Sequence, residues 1–267
     1  MSVDGEEVVA AVAAHREFDG LVLLVTGGGS GIGAAVARDY AAHGGRVVVV
    51  DKEESRAIDV ARGLPGDAGL GLGADVADEG DVGSAVRSAV DRYGRLDSVV
   101  NCAGHADLGR IDDLSYGRWK RMMDVHAGGT FLVCKHSLPH LRRTQGSIVN
   151  VSSISAFAAQ AENCAYGAAK GAVTAFSKQL AGDVAADGVR VNVVAPGRTD
   201  TALTRPVYRE RGGGDVAKGA ALTAESVMQR RIARPSEVAA VITFLLSGAA
   251  SFVTAATYVV DGGELAQ

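Results

Sequence analysis

Residues 21 to 51 read LVLLVTGGGSGIGAAVARDYAAHGGRVVVVD. Two apolar runs, 21–26 and 46–51, bracket a glycine cluster and a helical pattern over 32–43. Runs nearly continuous in Val and Leu are what strands covered on both faces look like. A strand, a glycine turn, a helix and a second strand make one parallel unit, and the rest of the chain repeats the plan. Apolar runs recur at 69–75 (GLGLGAD), 96–101 (LDSVVN), 146–151 (GSIVNV), 189–194 (VRVNVV) and 256–261 (ATYVVD). Helical patterns over 81–93, 115–136, 166–186 and 236–247 separate them. This alternation predicts an α/β fold: a doubly wound, seven-stranded parallel sheet with right-handed crossovers and helices on both faces. In such sheets ligands bind at the carboxyl ends of the strands.

The 267 residues are read as an acidic, alanine-rich extension over 1–20 followed by one domain over 21–267. With 27 Lys and Arg against 31 Asp and Glu, the net charge of -4 gives no electrostatic footprint for nucleic acid or an anionic membrane. The three cysteines, Cys102, Cys134 and Cys164, have neither disulfide-framework nor zinc spacing, so a reducing cytosol is the expected setting and no metal is expected. Asp4, Glu6 and Glu7 stand where a signal peptide needs basic residues, and no apolar run approaches the ~18 residues of a membrane span.

The first turn, TGGGSGIG over 26–33, is the clearest binding feature. It follows a strand and opens a helix, as a phosphate-binding loop requires. Gly27, Gly31 and Gly33 allow a tight turn, close backbone approach to a pyrophosphate, and helix-on-strand packing. Ser30 and Ile32 lie at the helix N-terminus, whose free N–H groups and partial positive charge favour phosphate. Asp51 ends the second strand, where a carboxylate accepts hydrogen bonds from the adenosine ribose hydroxyls and repels a 2′-phosphate. NAD is therefore expected over NADP, although Lys52 beside Asp51 weakens the discrimination. Asp75 and Val76 are placed to bracket the adenine edge. Asn101, Ala103 and Gly104 follow the fourth strand, where small residues let the backbone pass close to a cofactor.

Tyr166 and Lys170 stand four apart in an alanine-rich run, one above the other on a helix face. A phenol working near pH 7 must lose about 3 units from a pKa near 10, roughly 4 kcal/mol. One ammonium about 4 Å away at an effective dielectric near 20 supplies about that much. Lys170 is thus the expected activator of Tyr166 as acid and base. Ser153, thirteen residues before Tyr166, is the hydroxyl expected to orient the same substrate oxygen, in preference to its neighbour Ser152.

Together these residues resemble the short-chain dehydrogenase/reductase family. TGGGSGIG matches its TGxxxGxG; NCAG (101–104) resembles its NNAG, with Cys102 in place of the second Asn; Ser153, Tyr166 and Lys170 match its Ser and YxxxK. Pro196 and Gly197 followed by Thr201 look like its PGxxxT, and YVVDGG (258–263) like its closing strand. The resemblance implies a Rossmann fold, hydride transfer at a nicotinamide, and a homotetramer. It implies that Tyr166 exchanges the proton, that Lys170 lowers its pKa and holds the nicotinamide ribose, that Gly197 lines the nicotinamide and Thr201 holds its carboxamide or the phosphates, and that Pro196 and Thr199 also bind the cofactor. One departure stands out: the family's catalytic Asn, in a VNxxG context, is here His126 in VHAGG. A neutral imidazole can donate one hydrogen bond and accept one, so His126 is expected to replace Asn in the proton relay from Lys170 to solvent.

Residues 202–232 are read as a substrate lid hinged at Gly212 to Gly214, with Arg205, Arg209 and Arg211 as candidate contacts for an anionic substrate. His105 and Asp107 are expected at the pocket mouth. The expected function is hydride transfer between NAD(H) and a small secondary alcohol or its ketone. The alternatives are an NADPH-dependent 3-oxoacyl thioester reductase and a non-catalytic nicotinamide sensor; a nucleotide-sugar epimerase is disfavoured by length and glycine spacing.

Overall fold

A computed structural model describes residues 17–266. The seven strands are β1 (Val22–Thr26), β2 (Arg46–Asp51), β3 (Gly69–Gly73), β4 (Ser98–Asn101), β5 (Ser147–Val151), β6 (Arg190–Pro196) and β7 (Thr257–Val260). They form one parallel sheet in the order β3-β2-β1-β4-β5-β6-β7. The helices are α1 (Gly31–Ala42), α2 (Glu54–Arg62), α3 (Glu79–Tyr93), α4 (Tyr116–Met123), α5 (Gly129–Thr144), α6 (Cys164–Val184), α7 (Arg205–Arg211), α8 (Val216–Ala224) and α9 (Pro235–Leu246).

Alternation along each strand feeds two cores. In β1, Leu23 and Val25 join Val47, Val49, Val149 and Val194 against α1 and α9. Val22 and Leu24 join Val48, Val50, Val99 and Ile148 on the other face, against α3, α5 and α6. Both faces of every inner strand are therefore out of water, which is why those runs carry no polar alternation.

Register places the functional edge. Thr26 pairs with Val50 and with Asn101, Asn101 with Asn150, and Asn150 with Val193. Beyond this row the chain leaves β1, β4 and β5 on one edge of the sheet, and Gly27, Cys102 and Ser153 follow within three residues. The order of strands reverses between β1 and β4, the switch point at which open α/β sheets bind ligands. Thr26 Oγ1 accepts the N–H groups of Cys102 and Ala103 at 3.2 and 3.3 Å, stitching the two loops together there.

Four expectations need correction. Residues 17–20 belong to the domain and not to the extension: Phe18 is buried and stacks on Tyr40 at 4.0 Å, because Gly45 leaves room beside that ring. Residues 1–16 lie outside the described part. Helix α2 was not anticipated, since its only buried side chains are Ala57, Val60 and Ala61. Its backbone lies so close on β3 that a Cβ at Gly71 would stand 2.6 Å from the Ile58 Cα, which explains glycines in a strand. The expected helix over 115–136 is instead α4, a π-turn (Asp124–Gly128) and α5, the last running on to Thr144. There a Cβ at Gly129 would stand 2.7 Å from Val76 Cγ2, so α5 approaches the end of β3 as only glycine permits. The lid region is largely helical: α7 and α8 form a hairpin whose turn has Gly213 and Gly214 at positive φ. A Cβ at Gly219 would overlap the Tyr208 carbonyl, so the two helices touch backbone to backbone.

Candidate active site

The loop after β1 is shaped for something bulky and anionic. Gly27 has φ +63, and a Cβ there would lie 2.8 Å from the Ala103 Cα; one at Gly33 would lie 2.3 Å from the Gly27 carbonyl. Gly31 also has positive φ and faces Thr201, whose Cγ2 would be 3.2 Å from an added Cβ. Ser30, the N-cap of α1, makes no side-chain cap, which leaves the N-terminal N–H groups of α1 free for phosphate.

Asp51 is held by two backbone donors, Gly29 N–H at 3.0 Å on Oδ2 and Glu53 N–H at 3.1 Å on Oδ1. A cleft of about 360 Å³ runs from Gly27 and Asp51 past Asp75 and Val76 to Ala103, Gly104 and His105. Asp75 is well tied there: Ala77 N–H, Lys52 and Arg121 all donate to it. Burial alone would raise its pKa, yet those hydrogen bonds and charges hold it at about 2. Lys52, which was expected to blunt the discrimination by Asp51, is thus engaged by Asp75. Glycines, a free helix N-terminus and a fixed carboxylate at the strand end fit a dinucleotide.

Asn101 differs from expectation. Its Nδ2 donates to Asn150 Oδ1 at 2.8 Å and contacts Cys134 Sγ, so the side chain joins β4 to β5 and does not face the cleft. Pro196 ends β6, and Gly197 donates to Val260; a Cβ at Gly197 would lie 2.7 Å from the Asp261 Cβ. Thr199 is buried, bonded to the Gly197 carbonyl, and its own carbonyl accepts from Thr204 and Tyr208. Thr201 is tied to Thr204.

At the ends of β5 and α6, Ser153, Tyr166 and Lys170 converge. Ser152 is spoken for: its hydroxyl donates to the Lys170 carbonyl at 2.9 Å and meets Thr174 Oγ1 at 2.7 Å. Ser153 instead bonds Ser155 and lies beside the Tyr166 phenol. Lys170, 5% exposed, extends its Nζ to the Val151 carbonyl at 2.7 Å and lies 5.7 Å from the centre of the Tyr166 ring.

The expected depression of the Tyr166 pKa does not hold for the protein alone. Burial pushes the phenol up to about 12, with the Ser153 hydroxyl working against it. Burial likewise brings Lys170 down to about 8. Desolvation is the leading cause for both groups, disfavouring the charged form of each.

His126 sits in the π-turn, 2% exposed, edge-on to Tyr166 at 5.4 Å and stacked on His105 at 5.5 Å. Its Nε2 is engaged by the His105 backbone, 3.2 Å from the N–H and 2.9 Å from the carbonyl. That leaves Nδ1, buried and without a partner among the described residues, as the atom to which any relay role falls. Burial and then the Lys170 charge keep the ring neutral, with a pKa of about 2. The fit is tight: a Cβ at Gly104 would lie 2.3 Å from the His126 Cε1.

Against this geometry, the family model described as enoyl-(acyl carrier protein) reductase matches residues 27–264. The L-fucose dehydrogenase of Bos taurus is 37% identical over 94% of this chain and 92% of that protein. The chain belongs to the short-chain dehydrogenase/reductase family. It is an oxidoreductase of secondary alcohols and ketones that works with a nicotinamide dinucleotide. The cis-4-hydroxycyclohexanecarboxylate dehydrogenase of Sinomonas cyclohexanicum is 41% identical, over 92% of this chain and 96% of that protein. A crystal structure of levodione reductase superposes with a TM-score of 0.88 at 30% identity, covering 93% of this chain and 99% of that one.

In this short-chain dehydrogenase/reductase, the three lid arginines differ in their surroundings. Arg205 is paired with Asp200 at 2.9 Å, and Arg209 and Arg211 are exposed. At the pocket mouth, Asp107 is bonded by Arg118, which also holds the Leu108 and Asp113 carbonyls. Sequence reasoning missed Thr26, the clasp between the β1 and β4 loops, and Ser155, Gln160 and Asn163, polar groups linked to Ser153. Thr26 was readable as the Thr of TGGGSGIG; the other three carry no spacing signal.

Proposed function

We propose that the protein is an NAD(H)-dependent dehydrogenase of a small secondary alcohol, with Tyr166 as general acid and base. The observation that carries this is the convergence of Ser153, Tyr166 and Lys170, largely out of water, on the same carboxyl edge of the sheet as the glycine loop and Asp51. When bound, the dinucleotide supplies or accepts the hydride at its nicotinamide. Gly27, Ser30, Gly31, Ile32 and Gly33 would hold its pyrophosphate, Asp51 the adenosine ribose, and Asp75 and Val76 the adenine. Ala103 and Gly104 would floor the site, with Tyr166 and Lys170 at the nicotinamide ribose and Pro196, Gly197, Thr199 and Thr201 around the nicotinamide.

The residues then divide the chemistry. In reduction, Tyr166 Oη gives its proton to the substrate oxygen, and the Ser153 hydroxyl turns its one proton from Ser155 to that same oxygen. The ammonium of Lys170 stabilises the phenolate left behind. In oxidation the proton returns to Tyr166. His126 Nδ1 is the proposed link from Lys170 outward.

NAD is favoured because Asp51 is fixed by Gly29 and Glu53 with its charge at the strand end, where a 2′-phosphate would meet it. The second reading, NADPH-dependent reduction of 3-oxoacyl thioesters, has the description of the matched family model behind it; Asp51 speaks against it. The relatives' names, a fucose and a hydroxycyclohexanecarboxylate dehydrogenase, favour small hydroxylated substrates. A homotetramer is in keeping with exposed apolar side chains, Phe131, which meets Phe176 at 6.1 Å, and Phe244 and Val259 elsewhere. The free thiols of Cys102, Cys134 and Cys164 suit a reducing cytoplasm. The test is a screen of secondary alcohols with both dinucleotides, read by absorbance of the reduced nicotinamide. Turnover is expected with NAD; faster turnover with NADP would contradict the assignment of Asp51.

A further inference from the structure

On the Ser153 side of the site lies a second cleft, about 510 Å³, lined by Ile111, Ser155, Ala158, Gln160, Asn163 and Cys164 among others. Its two walls are clipped together, because Gly109 N–H donates to the Glu162 carbonyl at 2.8 Å. Ser153 Oγ donates to Ser155 Oγ at 3.2 Å, and Ser155 Oγ donates to Gln160 Oε1 at 3.1 Å. Asn163 Nδ2 spends both protons, on Ser155 Oγ at 3.0 Å and on Gln160 Oε1 at 2.9 Å.

This network fixes the carboxamide of Gln160 in one orientation. Both acceptor sites of Oε1 are filled, and a flipped amide would set one NH₂ group against another. The Nε2 group, with two protons to give, has no partner among the described residues. Around it the wall carries Ala158, Ala159 and Ala161 beside Ile111, with Arg110 and Glu162 also on the cleft. A placed donor beside apolar surface fixes the orientation of what binds there. Gln160 Oε1 is two hydrogen bonds from the Ser153 hydroxyl, a span of at most about 6 Å, and Nε2 stands on the same carboxamide carbon about 2 Å from Oε1. That is the reach of a substrate with a second oxygen one or two carbons from the reacting carbon.

We propose that Gln160 Nε2 binds a second hydroxyl or carbonyl oxygen of the substrate and makes the enzyme selective for vicinally or 1,3-oxygenated alcohols, with Ser155 and Asn163 as the positioning residues that aim it. This rests on the alcohol dehydrogenase reading above.

The experiment compares cis-1,2-cyclohexanediol with cyclohexanol in the full-length wild type, Gln160→Leu and Asn163→Ala. The wild type prefers the diol. In Gln160→Leu the diol-to-monoalcohol ratio of kcat/KM falls about tenfold, carried by the diol KM and not its kcat, as loss of one neutral hydrogen bond requires. Asn163→Ala, which frees the amide to flip, lowers the same ratio by less, and it decides the question if the Leu variant fails to fold. An unchanged ratio in these variants, or a wild type preferring the monoalcohol, overturns the inference alone. A wild type that oxidises neither alcohol with either dinucleotide overturns the dehydrogenase reading and takes this inference with it.

Discussion

The Lys170 ammonium lies 5.7 Å from the centre of the Tyr166 ring, with its Nζ bonded to the Val151 carbonyl at 2.7 Å. Lys170 is buried and Tyr166 half-buried, and desolvation drives their proton affinities apart: the phenol up to about 12, the ammonium down to about 8. Of the two, Lys170 is the first to lose its proton, near pH 8.

The ammonium is needed to stabilise the phenolate that ketone reduction leaves on Tyr166. Reduction is therefore expected to fall as pH rises through about 8. The pH profile of kcat/KM for reduction checks this. A flat profile across that range would separate the Lys170 charge from the chemistry.

Lys170 also carries a stability cost. Its folded pKa, about 8, lies below its ordinary 10.5. The penalty is full below pH 8, shrinks as pH rises to 10.5, and is gone above; it amounts to about 3 kcal/mol. Lys170→Met is expected to lose turnover while raising the denaturation midpoint at pH 7, by less than that figure because the bond to Val151 is lost. A lower midpoint would show the ammonium to be net stabilising.

His126 is neutral across the working range, so it contributes no acid limb near pH 6.5. As the relay link it is expected to tolerate Asn but not Leu. Turnover in His126→Leu should fall at least about tenfold, the scale of a lost proton-transfer group, and His126→Asn should recover most of it. Equal activity in the two variants would reduce His126 to a packing role on the His105 turn.

Asp51 is predicted to set the choice of dinucleotide. Asp51→Ser removes a charge-assisted pair of ribose contacts and the repulsion of a 2′-phosphate. The preference for NAD over NADP should fall by about 10-fold or more, as a charged hydrogen bond is worth. Dissociation constants from quenching of Trp119 fluorescence measure it, and an unmoved ratio would place the discrimination elsewhere.

Most of the sheet could be read from the chain because its inner strands are apolar on both faces. β3 was readable only by analogy with its neighbours. Its glycines exist to admit α2, and α2 itself hides because alanines do its packing. The π-turn at His126 leaves no trace in helical periodicity, since one extra residue shifts the pattern without breaking it. Ser153, Tyr166 and Lys170 were visible through their spacing, but not the direction of their pKa shifts. That depends on burial, which one turn of helix does not reveal. Gln160 escaped for a related reason: its role comes from Ser155 and Asn163 meeting it across a loop.

The central claim is that Tyr166 Oη moves the proton while hydride moves. The measurement that tests it most directly is single-turnover oxidation by Tyr166→Phe, with NAD binding to the variant verified separately. The chemical step is expected to slow by about 10²–10⁴-fold, the range for a positioned general acid-base, with dinucleotide affinity nearly unchanged. A Tyr166→Phe enzyme that binds NAD and turns over at the wild-type rate would contradict the account.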